Sequence, residues 1–589
     1  MQRLLQVPPQ TGAGGGLMRI LLLVHAFNSL SQRLYVELTR DGHELSVELD
    51  IHDRVTGEAV DLFTPDVILA PFLKRAIPSS VWRRCLCLIV HPGPPGDRGP
   101  SALDWAILRG VDTWGVTVLQ AVAAWDAGPV WASTSFPMRA ARKSSLYHHE
   151  VSEHTVGAVR EALARIAAGV GPQSDAAGRA GYGWQPPMRP AQRAIDWNCD
   201  ETRTVLRKIH SADGFPGVED VLFDRRFRLF DAHPETHLAG QPGTLIARGH
   251  EAVCRATRDG AVWIGQLRPV EELQRSFKRP AVLALGILAD ALPHFDEDPT
   301  DASAGTGSGE IRYEERDAIG YLHFDFYNGA LSTAQCQRLR AAYAQACRRP
   351  TRVVVLMGGA DFWCNGMHLH CIEAADSPAD ASWTNINLID DLAHDILTTE
   401  THLTIAALHG NAAAGGVFLA LAADRVLARS GIVLNPHYRN MGNLYGSEYW
   451  TYLLPGRVGA ERAQLVMGRR LPLGAPEARA LGLIDDHAGP DIAAFHALIE
   501  AEALSLAAHF TQNLAQKRAR RARDERARPL ADYRDRELAR MRMNFYGFDP
   551  SYHIARHRFV YRTPHAWTPL HLAAHRRLAG AAKREPERA

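Results

Sequence analysis

Residues 296–310 read DEDPTDASAGTGSGE, an acidic, Ser/Gly-rich stretch without an apolar anchor. Such a segment buries too little apolar surface to offset the entropy of ordering it, so the chain must build separate cores on either side of it. The length agrees: 589 residues exceed one hydrophobic core, and domains of roughly 100–200 residues predict about three to four folded units.

Composition narrows the class. Hydrophobic residues make up 46% and charged residues 22% of the chain, with a net charge of +1, as in an average soluble protein. No global field recruits nucleic acid or an anionic membrane. Neither partner is expected, and small-molecule chemistry is the better reading. Eight cysteines are scattered, and Cys85-Leu-Cys87 is too tight for a zinc knuckle, so neither a disulfide framework nor a metal site is indicated. No run of about 18 apolar residues suggests a membrane span, and the expected location is the cytoplasm. The N-terminal MQRLLQVPPQTGAGGG lacks an apolar stretch of signal-peptide length, so residues 1–17 read as a disordered extension before a fold that begins at Met18.

From Met18 onward, RILLLVHAF, ELSVELDI, PDVILAPF and RCLCLIV (84–90) alternate with helical segments such as SLSQRLYVELTRDGH. This is the pattern of an open α/β sheet covered on both faces. Residues 18–170 form this first domain, with a Gly/Pro/Gln/Arg-rich linker over 170–192. Residues 193–295, with GTLIARG, EAVCRAT and AVWIGQL between Gly turns, predict a small β-barrel-like domain. After the 296–310 linker, strands IGYLHFDF and RVVVLMGG open a second α/β domain over 311–490, followed by a helical tail over 491–589. The run QKRARRARDERAR in that tail reads as a solvated helix face, because acidic residues are interspersed and no aromatic platform adjoins it.

The loop HPGPPGDRGPSALDW places His91 at a strand end and Arg98 among Gly and Pro, with Asp126 in AAWDAGPV beyond the next strand. Ligands bind open α/β sheets beyond such strand ends, and a His beside a carboxylate can move protons during acyl transfer. By itself the pattern is more often structural. With its neighbours, however, IVHPGPPGDRGPSALDWAILRGVDTWGVTVLQAVAAWDAGPV resembles the formyltransferases and hydrolases that use 10-formyltetrahydrofolate, and AIDWNCDETRTVLRKIHSADGFPGV resembles their small C-terminal domain. The resemblance implies that His91 and Asp126 are catalytic and that Arg98 lies in the cofactor-binding loop. Many transferases carry Asn two residues before the His; this chain has Ile89, as in the hydrolase-like branch, which argues against methionyl-tRNA formylation. Asn28, after the first strand, is either a folate or formyl contact or a turn-forming Asn.

In the second half, GADFWCNGMHL (359–369) and ALHGNAAAGGVFLALAADRVLA (407–428) are Gly-rich turns that can direct two backbone N–H groups at a thioester carbonyl, though packing glycines would look the same. Together with LPGRVGAERAQLVMGRR they resemble the crotonase (enoyl-CoA hydratase/isomerase) superfamily, which implies acyl-coenzyme A binding and an oxyanion hole from the amides of Met367 and Gly415. Where hydratases place their two acid/base Glu residues, this chain has Phe418 and, for the second, His437 or Tyr438, which argues against hydration. NPHYRNMGNLYGSEYWTY offers Tyr438 and Glu448 instead; a carboxylate desolvated among aromatic residues suits a general base.

The joined architecture resembles a family of [NiFe]-hydrogenase-maturation proteins. That resemblance implies transfer of a formyl group from 10-formyltetrahydrofolate to coenzyme A, decarbonylation of formyl-CoA to CO for the hydrogenase iron, and hydrogenase maturation proteins or the hydrogenase large subunit as partners. The alternatives are separate formyl-folate hydrolase and acyl-CoA hydrolase or isomerase activities, or a non-catalytic assembly factor.

Overall fold

In the computed structural model, residues 16–173, 182–271, 275–295 and 309–577 are described. The expected extension, up to residue 15, and most of the 296–310 linker lie outside them. The chain forms two compact units: one of residues up to 194 together with 207–218 and the C-terminal residues from 564, the other of 195–206 and 219–563.

The first unit is built on a six-stranded sheet of β1 (Arg19–Val24), β2 (Glu44–Leu49), β3 (Val67–Phe72), β4 (Cys87–His91), β5 (Thr113–Gln120) and β6 (Val130–Pro137), in the order β2-β1-β3-β4-β5-β6. β1 through β4 are parallel, and β1, β3 and β4 are apolar at their centres, which is why both faces must be covered. Phe63, Val60 and Ala59 of the helix Asp53–Phe63 close one face over Leu21, Leu23, Ile68 and Cys87. The second half of the open sheet is antiparallel, at β4–β5 and at β5–β6. The β5–β6 connection is too short for the crossover of a dozen or more residues that a parallel pair needs. β4 begins at Cys87 rather than at residue 84, because Arg84 and Cys85 finish the turn that closes the helix Ser79–Trp82.

The edge strand β2 is covered by the C-terminal residues. The Val47 amide donates to the Leu572 carbonyl (3.1 Å) and the Leu49 amide to Thr568 Oγ1 (2.9 Å). His575 lies between Ser46 Oγ (2.6 Å from Nδ1) and Glu48 Oε2 (2.9 Å from Nε2), and Arg576 adds an ion pair to Glu48 at 2.8 Å. Burial works to raise the Glu48 carboxyl, but hydrogen bonds from His575, Thr568 and Arg576 outweigh it and hold the group below its ordinary value. An exposed strand edge invites pairing with other chains, and this clasp removes that liability.

In the second unit, a six-stranded sheet runs Val218–Leu222, Arg225–Glu235, Ala261–Pro269, Val253–Ala256, Leu245–Arg248, with Arg279–Pro280 paired to Ala261–Pro269. The larger α/β part has a sheet in the order Ile311–Arg316, Ile319–Phe324, Val353–Gly358, Leu403–Leu408, Arg425–Arg429, Asp486–Ala488. A smaller sheet joins Phe362–Cys364, Asn411–Ala413, Val433–Asn435 and Leu473–Gly474. The tail forms helices Ile492–Ala508, Phe510–Ala527, Leu530–Tyr546 and Ser551–Val560. Leu530, Leu538, Met541 and Phe545 join the main core of this unit, each contributing about 1.5–3 kcal/mol by burial, so the Leu530–Tyr546 helix is part of the α/β core. The basic run is less solvated than expected: Lys517 is buried, paired with Asp424 at 2.7 Å and donating to the His402 carbonyl at 3.0 Å. No single helix among the described residues is long and apolar enough to cross a membrane.

Candidate active sites

β4 ends at His91, and the Pro/Gly loop after it turns back over the strand end. The His91 ring is buried, with Nε2 2.8 Å from Asp97 Oδ2 and Nδ1 3.7 Å from Asp126 Oδ2. Gly93 is obligatory here: a Cβ at that position would stand 2.5 Å from Asp97 Oδ2 and 2.6 Å from His91 Nε2. Asp126 adopts a left-handed backbone (φ +50°) in the β5–β6 turn, and its Oδ2 accepts from the Gly99 amide at 3.1 Å. Arg98 Nε donates to the Trp125 carbonyl at 3.2 Å. Arg98 and Gly99 therefore tie the His91 loop to the Asp126 turn. When both imidazole nitrogens carry protons, each faces one carboxylate, so the ring is oriented by Asp97 and held toward Asp126. This is the geometry of an oriented acid/base.

Ile89 stands two residues before His91, in register with Ala70 and Leu119, and packs on the apolar cluster of Cys87 and Ala121. Strand alternation puts residues 89 and 91 on one face, so the position where many transferases carry an amide is apolar here. Asn28 caps the helix Ser29–Arg40: its Oδ1 accepts from the Ser31 amide (3.0 Å) and hydroxyl (2.9 Å), which commits that oxygen to the cap. Asp97 was missed by sequence reasoning. Its signal was a carboxylate six residues after the His, inside the same Gly/Pro loop.

The second constellation lies in the α/β part of the other unit. The two Gly-rich turns meet: a Cβ on Gly366 would fall 3.3 Å from the Gly415 amide nitrogen. Met367 follows in the short strand Gly366–Met367, beside Ala330–Leu331. Ala414 takes a positive φ (+49°) to start the helix Gly415–Leu421. Against this turn sits Glu448, which is 1% exposed: a methyl on Gly415 would lie 2.1 Å from its Oε1. The Tyr438 hydroxyl lies 2.5 Å from Glu448 Oε2 and 3.0 Å from the Ser447 carbonyl. Phe418 stacks on the Tyr438 ring (5.3 Å between centroids, 14° between planes). Gly446 clears that ring, since a Cβ there would be 2.1 Å from it.

Glu448 and Tyr449 both have φ +58°, a conformation that costs a non-glycine residue about 1–2 kcal/mol. Asp390, on the helix Pro378–Leu397, accepts from the Glu448 amide (2.7 Å) and the Ser447 hydroxyl (2.6 Å). Glu537, from the tail helix, accepts from the Thr451 amide (2.8 Å) and hydroxyl. Burial raises all three carboxyls: Asp390 to about 6, Glu537 to about 8, and Glu448 well above its ordinary value, with the charge of Asp390 the second cause. Burial and the Glu448 charge also push the Tyr438 hydroxyl well up. Asp390 and Glu537 were not singled out from the sequence, although each interrupts an apolar stripe: Ile386, Ile389 and Ala393 flank Asp390, and Leu530, Leu538 and Met541 flank Glu537.

Comparison with known proteins follows the same division. Residues 43–163 match the formyl transferase family, 187–275 the formyl transferase C-terminal domain, and 315–568 the enoyl-CoA hydratase/isomerase family. A methionyl-tRNA formyltransferase of Streptococcus pneumoniae is 24% identical over 188 residues, covering 30% of this chain and 55% of that protein. The hydrogenase maturation factor HoxX of Bradyrhizobium diazoefficiens is 54% identical over 561 residues, 95% of this chain and 97% of that one. A solved structure of HypX from Aquifex aeolicus in complex with tetrahydrofolic acid has a TM-score of 0.92 at 48% identity, covering 95% of this chain and 99% of that one. With formyltransferase and crotonase-type domains joined in the same order and near-complete mutual coverage, the chain belongs to the HoxX family of hydrogenase maturation factors.

Proposed function

We propose that the protein converts the formyl group of 10-formyltetrahydrofolate into CO through formyl-CoA, for the iron of a [NiFe]-hydrogenase. In the first step the coenzyme A thiol gives its proton to His91 and its sulfur bonds the formyl carbon. The carbon–nitrogen bond to folate then breaks, and the proton passes to the folate nitrogen, leaving tetrahydrofolate and formyl-CoA. Asp97 orients the imidazole and Asp126 faces its second nitrogen. The tetrahydrofolate bound by the HypX relative supports folate as the donor.

In the second step the amides of Met367 and Gly415 polarise the formyl oxygen, donors of a kind that contribute about 3–4 kcal/mol each. Glu448 takes the formyl proton, the carbon–hydrogen electrons become the lone pair of CO, and the carbon–sulfur pair leaves with the thiolate. Tyr438, bonded to Glu448, relays a proton to that sulfur. CO and free coenzyme A are the products. The observation that carries this reading is the buried Tyr438–Glu448 pair against the Gly415 turn, in a domain where Phe418 replaces the hydratase acid. Both sites are expected to work on small molecules in the cytoplasm and to deliver to hydrogenase maturation proteins or the hydrogenase large subunit.

The test is incubation with 10-formyltetrahydrofolate and coenzyme A, with CO read by haem binding and formate assayed separately. CO that depends on coenzyme A and disappears in Glu448→Gln is the expected result. Formate in place of CO would establish two separate hydrolytic activities, and activity indifferent to both His91→Ala and Glu448→Ala would leave only an assembly role.

A further inference from the structure

Asp390 is assigned no contact with substrate, yet it accepts from two polar groups of the strained turn that carries Glu448. The Glu448 amide donates to Oδ1 at 2.7 Å, and the Ser447 hydroxyl shares its proton between Oδ1 and Oδ2, at 2.8 and 2.6 Å. Two successive residues with φ +58° form a strained turn that is closed locally by the Trp450 amide on the Ser447 carbonyl at 3.3 Å, and Asp390 is the acceptor that anchors it from outside. We propose that Asp390 is a positioning residue that fixes both the aim and the proton of Glu448 without touching the substrate. The inference takes its interest from the decarbonylation reading but stands on this geometry.

The groups facing Glu448 come from several elements. Its own segment brings Tyr438, Ser447 and Tyr449. The helix Pro378–Leu397 brings Asp390, and the helix Leu530–Tyr546 brings Glu537, with Arg534 Nε 3.9 Å from Asp390 Oδ2 but Nη2 committed to Asp391 at 2.7 Å. The thiols of Cys336 and Cys364 complete the set. Of the two acids, Asp390 accepts both the Glu448 amide and the Ser447 hydroxyl and burial raises it only to about 6, whereas burial and then the Asp390 charge raise Glu448 well above its ordinary value. Of the two, Asp390 is therefore the one that ionises first, and Glu448 is the acid that keeps its proton to higher pH.

The decisive measurement is infrared titration of the full-length protein, following the protonated-carboxyl band assigned to Glu448 by its loss in Glu448→Gln. In the wild type that band persists at pH 7 and shifts in frequency near pH 6, as Asp390 ionises. Asp390→Asn keeps the volume and an acceptor for the Glu448 amide but removes the charge, so the band midpoint falls by at least about one unit, and the rising limb of CO release against pH moves down with it. A purely structural Asp390 would lower activity at every pH and leave the midpoint in place. A Glu448 band already absent at pH 7 in the wild type overturns the inference without any variant, and an unmoved midpoint in folded Asp390→Asn overturns it as well. The infrared result stands whether or not CO is formed, so failure of the decarbonylation reading is read separately, from the wild-type CO assay.

Discussion

Glu537→Gln isolates the energetic cost of one buried acid. Glu537 is fully buried on the tail helix; one oxygen takes the Thr451 amide and hydroxyl, and the other has no partner among the described residues. Burial lifts its carboxyl from 4.5 to about 8. Between those values the folded state holds a proton that the unfolded state has lost, so stability falls as pH rises through this window. A displacement of roughly 3.5 units at about 1.4 kcal/mol each amounts to on the order of 4–5 kcal/mol, complete only above pH about 8. Glutamine imitates the protonated acid and does not titrate. Wild type and variant should be equally stable at pH 4.5, and the variant should be the more stable by several kcal/mol at pH 9. Urea unfolding of the full-length protein across that range, followed through the transition of the unit that contains Glu537, measures the difference. Wild-type and variant curves that run parallel from pH 4.5 to 9 would show that Glu537 ionises without penalty, and would refute the burial argument for the whole carboxylate cluster.

Asp97→Asn should lower formyl transfer by roughly 10²–10⁴-fold, by misorienting an acid/base His, while CO release from supplied formyl-CoA stays intact; comparing the two rates checks it. Gly415→Ala should do the reverse, because its methyl would sit 2.1 Å from Glu448 Oε1 and the carboxylate must move; CO release from formyl-CoA should fall by about 10²-fold or more, the scale of a displaced general base. His575→Ala strips Glu48 of one buried hydrogen-bond partner while Arg576 and Thr568 remain, and should destabilise the first unit by about 1–3 kcal/mol, read by thermal unfolding of that unit at neutral pH.

What was legible in the sequence is what depends on local pattern. The buried strands from β1 to β4 and the Gly/Pro loop after His91 announce themselves by periodicity and by residues that forbid helix or strand. His91 and Asp126 could be paired from the sequence because both lie in the one segment that resembles the formyltransferases, and the structure places their side chains 3.7 Å apart. Asp97 escaped because a loop carboxylate looks solvated until Gly93 lets the loop fold back on the ring. Asp390 and Glu537 escaped for a different reason: they reach the Ser447–Thr451 segment from helices 57 and 86 residues away in the chain, and no local periodicity encodes that convergence. Lys517 was misread as solvated because its partner, Asp424, lies 93 residues upstream.

Phe418 shows how an apolar residue at the start of the Gly-rich helix organises its surroundings. A carboxylate at that helix position would need polar partners. The phenylalanine instead offers a flat apolar face on which Tyr438 lies nearly parallel, and that stacking, with Gly446 leaving room for the ring, fixes the phenol so that its hydroxyl reaches Glu448. In the proposed reaction the acid/base pair sits on a strained turn and not on the Gly-rich helix, and a turn with two successive left-handed residues gains from an external anchor that holds its aim. Asp390 is that anchor, and the tail helix closes the same region with Glu537 and Met541. The tail therefore belongs to the second site as much as the Gly-rich turns do: a truncation that removed Leu530–Tyr546 would take away part of the site's wall together with part of the core.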